Sequence, residues 1–236
     1  MPDDTIATTL TSIHQMTPRV KQYVLQAPHH TFDYAPGQHV RIAFEQDGDL
    51  VQRPYTPVNL PGTDTLALGI KTYDGGTLST YMDEREMGDT IEIIPPGGNL
   101  HLRDTNRDVV FLSTGTGITP MIAMLKQYLR DGTGQAAFLY GERTQDDIMY
   151  RETLDHLSAD HANLRVLYSL SHEEWDGPTG FVQTHIEEAL GNDFNDPHYY
   201  ICGIPPMVVE TENVLKDEHG VAEDAIFTEG WEASAV

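Results

Sequence analysis

Several short segments of this chain combine residue types that suit a phosphorylated, aromatic ligand. Ser113-Thr114-Gly115-Thr116-Gly117-Ile118-Thr119-Pro120 follows an apolar run and opens a helical pattern. Glycines let the backbone approach an anion, and free N–H groups at a helix start supply partial positive charge, so the segment suits a diphosphate. The same residues also make a tight β–α turn with no ligand, and two glycines do not choose between these readings. The third glycine of the usual dinucleotide fingerprint is absent. Arg53-Pro54-Tyr55-Thr56 offers a guanidinium fork for a diphosphate, a flat ring for stacking and a hydroxyl for a ring nitrogen. Strand alternation puts Arg53 and Tyr55 on one face and Thr56 on the other. Gly75-Gly76-Thr77-Leu78-Ser79 leads into a short helical stretch over 79–85, a second candidate phosphate cradle or simply a hairpin turn. Tyr199-Tyr200-Ile201-Cys202-Gly203-Ile204-Pro205-Pro206-Met207 places a cysteine at a strand end before a helix, close to where an open α/β sheet binds ligands. As a bare pattern, that cysteine reads equally as a small buried hydrophobe.

The elements that must position these residues change character along the chain. Before residue 101, short β patterns dominate. Val40, Ile42 and Phe44 alternate with His39, Arg41 and Ala43, while 66–71 and 90–94 are similar. Gly/Pro/Asp clusters separate them, which predicts an antiparallel barrel or sandwich. The polar stretch 101–107 marks a boundary. Beyond it, an apolar strand over 109–112 precedes a helix whose Met121, Met124, Leu125, Tyr128 and Leu129 share one face, with Pro120 in its first turn. Strands over 136–140, 164–169 and 198–202 alternate with helices over 145–157, 181–190 and 206–217. Fully apolar strands alternating with helices predict a parallel sheet covered on both faces.

The 236 residues carry 37 acidic and 14 basic side chains, a formal charge of −23, with only four lysines (Lys21, Lys71, Lys126, Lys216). Such a charge argues against nucleic-acid binding, which needs a basic face. Its even spread resembles that of proteins from salt-loving microbes; an acidic face for a basic partner is the alternative. A single cysteine, Cys202, excludes an internal disulfide, a four-cysteine zinc site and a cysteine-ligated iron–sulfur cluster within these residues. Eleven histidines contain no His-Glu-x-x-His run, and no metal site is expected. No run reaches the roughly 18 apolar residues of a membrane span, and Met1-Pro2-Asp3-Asp4 is acidic where a signal peptide would be basic, so a cytoplasmic protein is expected.

Taken in order, the motifs Phe32-x-Tyr34-x-Pro36-Gly37-Gln38, Arg53-x-Tyr55-Thr56, Gly76-x-x-Ser79, Gly88-Asp89, Gly115-Thr116-Gly117-Ile118-Thr119-Pro120, Tyr140-Gly141-x-Arg143-Thr144 and Cys202-Gly203-x-Pro205-Pro206-Met207 span nearly the whole chain. In this set the chain resembles the ferredoxin–NADP(+) reductase family, the flavoprotein group that includes cytochrome-b5 reductase and flavodoxin reductase. The resemblance implies a six-stranded antiparallel FAD-binding β-barrel over 1–103 and a doubly wound NAD(P)-binding α/β domain over 104–236. It implies FAD rather than FMN, with NADH or NADPH as substrate. Arg53 and Pro54 would meet the flavin diphosphate, Tyr55 would pack on the isoalloxazine, and the Thr56 hydroxyl would lie near flavin N5. Ile70, Lys71 and Thr72 would line the flavin's polar edge, and Gly76, Thr77, Leu78 and Ser79 would hold its phosphates. Thr114, Gly115, Thr116 and Gly117 would meet the nicotinamide nucleotide's diphosphate, with Thr116 also reaching the flavin side. Cys202, with Gly203 and Pro205, would sit beside the hydride-donating nicotinamide carbon. Glu229 matches the family's C-terminal acid, and Trp231 its flavin-covering aromatic.

Two departures stand out. Ser171-His172 replaces the Ser-Arg of members that prefer NADPH, which leaves nucleotide preference open. Pro95 stands where a glycine is common. The implied activity is hydride transfer from NAD(P)H to FAD, or the reverse, with electrons passing to a small carrier such as ferredoxin or flavodoxin or to a small acceptor. The alternative is a non-catalytic electron-transfer or regulatory subunit of a larger redox complex.

Overall fold

The computed structural model describes residues 4–191 and 194–230. The chain divides into two compact units, Met1–His101 and Leu102–Val236.

The first unit is a six-stranded antiparallel sheet made of β1 (Ile6–Thr17), β2 (Val20–Gln26), β3 (His39–Gln46), β4 (Asp49–Tyr55), β5 (Thr65–Lys71) and β6 (Thr90–Gly97). Strand order is β4-β3-β6-β1-β2-β5. The sheet curls until its edges meet: the chain leaving β4 bridges β5 at Pro57↔Leu68, and the Val58 amide donates to the Ala67 carbonyl at 2.9 Å. This closure makes it a barrel. Leu10, Leu25, Val40, Ile42, Leu66, Leu68, Ile91 and Ile93 fill the interior with no exposed surface. Each such side chain contributes about 1.5–3 kcal/mol by leaving water. Helix α1 (Thr77–Asp83) covers one end through Leu78 and Met82.

The second unit is a parallel five-stranded sheet: β7 (Val109–Thr114), β8 (Ala136–Glu142), β9 (Leu164–Leu170), β10 (His198–Gly203) and β11 (Ile226–Gly230), ordered β11-β10-β7-β8-β9. The helices are α2 (Ile118–Asp131), α3 (Arg151–Asp160), α4 (Ile186–Leu190) and α5 (Pro205–Asn213). The chain steps outward from β7 to β8 and β9, then returns to β10 on the other side of β7. The order therefore reverses between β7 and β10, and ligands of open α/β sheets bind at the C-terminal ends of such a pair.

The expected helices are shorter than the periodicity suggests. The 145–157 segment becomes a 3-10 turn over Gln145–Asp147, a left-handed Tyr150 (φ 55°) and then α3. The 181–190 segment is half 3-10 helix, and the last helix passes into a π-helical turn over Val214–Glu218. The short helix after Gly76 begins at Thr77, two residues before its expected start. Strands β1, β2 and β11 carry no strong alternation and emerge only in the structure. In β1, Thr8 points inward, and its hydroxyl donates to the Ile91 carbonyl at 2.7 Å, so a polar residue occupies a core position without an unpaired group.

Candidate functional site

In the second unit, the residues singled out at 113–120 and 199–207 lie side by side. Strand register aligns Ser113, Cys202 and Glu229 on β7, β10 and β11 at the C-terminal edge. After β7 the chain makes a 3-10 turn over Gly115–Gly117, with Gly115 at φ +56°, and runs straight into α2. No side chain caps either helical start, and neither first turn carries an acid, so the positive end of α2 meets no protein carboxylate there. The two βα turns touch through backbone. A Cβ on Gly117 would lie 2.3 Å from the Cys202 carbonyl oxygen, and one on Gly203 would lie 2.3 Å from Thr114 Oγ1. The Ile204 amide donates to Thr114 Oγ1 at 3.3 Å. Both glycines are therefore required by close approach, independently of any ligand. Pro205 opens α5 and is exposed, as is Ile204. Thr116 is half-buried, and its carbonyl accepts the Thr119 hydroxyl at 3.0 Å.

Cys202 is buried, and burial pushes its thiol well above the usual range, with the Glu229 carboxylate adding to the shift. A group held so far from ionisation is a neutral, polarisable contact, not a nucleophile. Ser113, its cross-strand neighbour, buries a hydroxyl with no partner among the described residues. Ser171 and His172 follow β9, and their amides donate to the carbonyls of Glu142 and Arg143 at 3.0 Å each.

In the first unit, Arg53 and Tyr55 share one face of β4, and Thr56 is buried just beyond the strand end. Tyr55 is half-buried against the core, and its phenol is pushed up by burial while Arg53 pulls it partly back, so the cation and ring are close. Arg53 donates to the Gln52 carbonyl at 2.8 Å, and Pro54 is exposed between them. Next to Arg53, Gln52 Oε1 is buried without a partner among the described residues. Ile70 is buried on β5, and Lys71 lies 5.8 Å over the Tyr73 ring. The Thr72 amide already donates to the Arg19 carbonyl at 2.9 Å, so only its carbonyl and hydroxyl face outward as contacts.

The Gly75–Ser79 turn shows what its residue types do. Gly75 takes φ +75°, and a Cβ on Gly76 would lie 2.5 Å from Ser79 Oγ. The Ser79 hydroxyl accepts from the Tyr73 amide at 3.3 Å and donates to the Gly76 carbonyl at 3.2 Å. Its side chain closes the loop and leaves the backbone of 76–79 to meet an anion. Helix α1 starts with no side-chain cap and no acidic residue in its first turn. A guanidinium, a half-buried ring and a bare helix start fit a ligand with both a diphosphate and a flat ring. Trp231 lies outside the described residues.

Sequence reading passed over three features here: the orphaned hydroxyl of Ser113, the left-handed Tyr150 and the carboxylate of Glu142. Only Glu142 left a trace, as the unassigned position inside Tyr140-Gly141-x-Arg143.

Comparison with known proteins places both units. Residues 7–102 match the oxidoreductase FAD-binding domain and residues 111–213 the oxidoreductase NAD-binding domain. Ferredoxin–NADP reductase B of Sorangium cellulosum is 30% identical over 235 residues, covering 94% of this chain and 96% of that protein. NADH-cytochrome b5 reductase 1 of Bos taurus is 30% identical over 251 residues, covering 92% and 82%. The crystal structure of a ferredoxin NADP+ reductase from Neisseria gonorrhoeae with bound FAD and NADP superposes with a TM-score of 0.86 at 22% identity, covering 97% and 99%, a likeness of fold. An FAD-binding unit followed by an NAD-binding unit makes FAD the cofactor and NAD(P)H the substrate. No helix among the described residues is long and apolar enough to cross a membrane. With both halves matched in order, and a 30% identical relative covered almost end to end, the chain belongs to the ferredoxin–NADP reductase family of FAD- and NAD(P)H-dependent oxidoreductases.

Proposed function

We propose that the protein is a reductase that takes hydride from NAD(P)H onto FAD and passes the electrons to a small carrier protein such as ferredoxin or flavodoxin, or to a diffusible acceptor. Bound FAD supplies a centre that accepts two electrons as hydride and releases them singly or together. The residues of this chain bind and orient. Over 1–103, the FAD domain of this reading, Arg53 holds the diphosphate beside Pro54, Tyr55 packs on the ring and Thr56 offers its hydroxyl to it. The backbone at Ile70, Lys71 and Thr72 meets the ring's polar edge, and the amides of Gly76, Thr77, Leu78 and Ser79 meet phosphate. Over 104–236, Thr114, Gly115, Thr116 and Gly117 receive the nucleotide's diphosphate, Ser171 and His172 flank its adenosine end, and Gly203 and Pro205 border the nicotinamide. Cys202 lies against the nicotinamide as a neutral thiol, with the Glu229 carboxylate beside it.

The observation that carries this reading is the contact of the two βα turns at the sheet's reversal point, where a methyl group on Gly117 has no room beside the Cys202 carbonyl. The carrier is supported by the name of the Sorangium relative and by a chain with no second cysteine to hold a cluster of its own. At −23, the protein would repel an acidic carrier in dilute salt, so docking strengthens as salt is added. Anaerobic titration of the FAD-loaded protein with NADH and NADPH tests the reading. Bleaching of flavin absorbance, followed by reoxidation with ferredoxin or flavodoxin, is expected. A flavin that neither nucleotide reduces would end it; reoxidation only by small dyes would retain the reductase and remove the carrier.

A further inference from the structure

The C-terminal end of β8 carries a carboxylate aimed at the same turn. Alternation puts Tyr140 and Glu142 on one face of the sheet. Tyr140 is buried, and its hydroxyl lies 2.6 Å from Glu142 Oε1 and 3.1 Å from the Gly115 carbonyl oxygen. A phenol has one proton, and the short bond to an ionised oxygen takes it. Burial and the Glu142 charge push this phenol well above its ordinary value, so it remains a donor. One hydroxyl thus joins a fixed carboxylate to the first residue of the glycine turn.

The opposite rim offers little to a second anion. The Ser171 and His172 amides are engaged by the carbonyls of Glu142 and Arg143. Ser171 Oγ lies 2.7 Å from His172 Nδ1. Glu173 adds another carboxylate, held by the Gln145 amide at 2.8 Å and its Nε2 at 2.7 Å, and these bonds keep it below the usual range. Carboxylates at the end of the second strand of a nucleotide-binding sheet accept from ribose hydroxyls, whereas a 2′-phosphate calls for a cation.

We propose that Glu142 is a specificity-determining residue that makes this protein prefer NADH, accepting a hydrogen bond from the adenosine ribose and repelling a 2′-phosphate. This rests on reading residues 114–117 as the diphosphate site. Flavin reduction is measured with both nucleotides in about 1 M KCl, where screening over about 3 Å leaves mainly local charge effects. The wild-type protein is expected to show at least a tenfold higher kcat/KM for NADH. Glu142→Gln keeps an acceptor for Tyr140 and should raise kcat/KM for NADPH about tenfold, chiefly through KM, while that for NADH falls several-fold. Binding of 2′-phospho-AMP against AMP, by calorimetry on the FAD-loaded protein, should move in the same sense without any redox step. Equal changes for the two nucleotides in the variant, or a wild-type protein that favours NADPH, would overturn the assignment while leaving the reductase intact. Absence of reduction by either nucleotide, with no binding of AMP, would instead remove the reading beneath it.

Discussion

In residues 102–236 the candidate site is built from backbone, whereas in residues 1–101 it is built from side chains. At the edge of the parallel sheet, Gly117 and Gly203 sit where a single methyl group would strike the Cys202 carbonyl or the Thr114 hydroxyl. On the barrel, Arg53 and Tyr55 stand on a strand whose neighbours would tolerate many other residues, and only the Gly76 turn is equally tight. The reason is topological. A parallel sheet delivers each strand end into a helix start, so its ligand groups are amides whose positions packing dictates. An antiparallel barrel presents side chains along its strands, and chemistry there is chosen residue by residue. The units also differ in charge: residues 1–101 carry 13 acids and six bases, a charge of −7, and residues 102–236 carry 24 and eight, a charge of −16. The unit proposed to bind a polyanionic nucleotide is the more acidic one.

Four experiments sharpen or break this contrast. The largest effect is expected from Gly117→Ala. Its Cβ meets rigid backbone, so displacement of the turn by about 1 Å should cost roughly a hundredfold in NAD(P)H-driven flavin reduction. Overpacking should cost about 1–3 kcal/mol in urea unfolding, while FAD content stays unchanged. Native reduction rates in this variant would mean that the turn lies away from the site. Next, Arg53→Ala should weaken FAD by about 1.5–3 kcal/mol through loss of a charge-assisted pair, read by fluorescence titration, and leave the apoprotein's melting temperature nearly unchanged. Full FAD retention would remove Arg53 from the contrast.

Salt should have a smaller effect, unequal between the units. Raising KCl from about 0.1 M to about 2 M screens the −16 unit, so KM for NAD(P)H should fall several-fold while FAD retention changes less. A KM indifferent to salt would show that the acidity does not reach the nucleotide.

The smallest effect concerns the opposite edge of the parallel sheet. His198 Nε2 lies 2.9 Å from the Arg107 guanidinium, which can only donate, so the proton sits on Nδ1, buried without a partner among the described residues. Burial, and then Arg107, hold its pKa below the ordinary histidine value, against the opposing pull of Asp104 and Asp224. The unfolded chain therefore binds a proton first, and stability should fall as pH drops below about 6.5 towards the depressed folded value. His198→Phe, which keeps a ring against Phe227, should lose that part of the pH dependence in thermal melts between pH 7 and pH 5. Identical slopes for the two proteins would show that other groups carry the acid sensitivity.

Much of the second unit was legible because its signals are local. Val109–Leu112 is a continuous apolar run, Gly115-Thr116-Gly117 follows it at once, and Pro120 sits in the first turn of the helix. Composition and spacing alone established an acidic chain with one cysteine, a β-rich half, an α/β half and the stretches that could hold phosphate, since each of these depends on near neighbours in the chain. Which groups meet was decided by the fold. The alignment of Ser113 with Cys202 and Glu229 joins residues about ninety and twenty-seven positions apart through strand order. Glu142 gained its place beside Gly115 only because β8 lies next to β7 and Tyr140 spans the gap. Inward-facing Thr8 was likewise made tolerable by a carbonyl on β6. A local pattern records what a segment prefers, but the partner that satisfies a buried polar group is supplied by distant chain, and that is a property of the folded molecule alone.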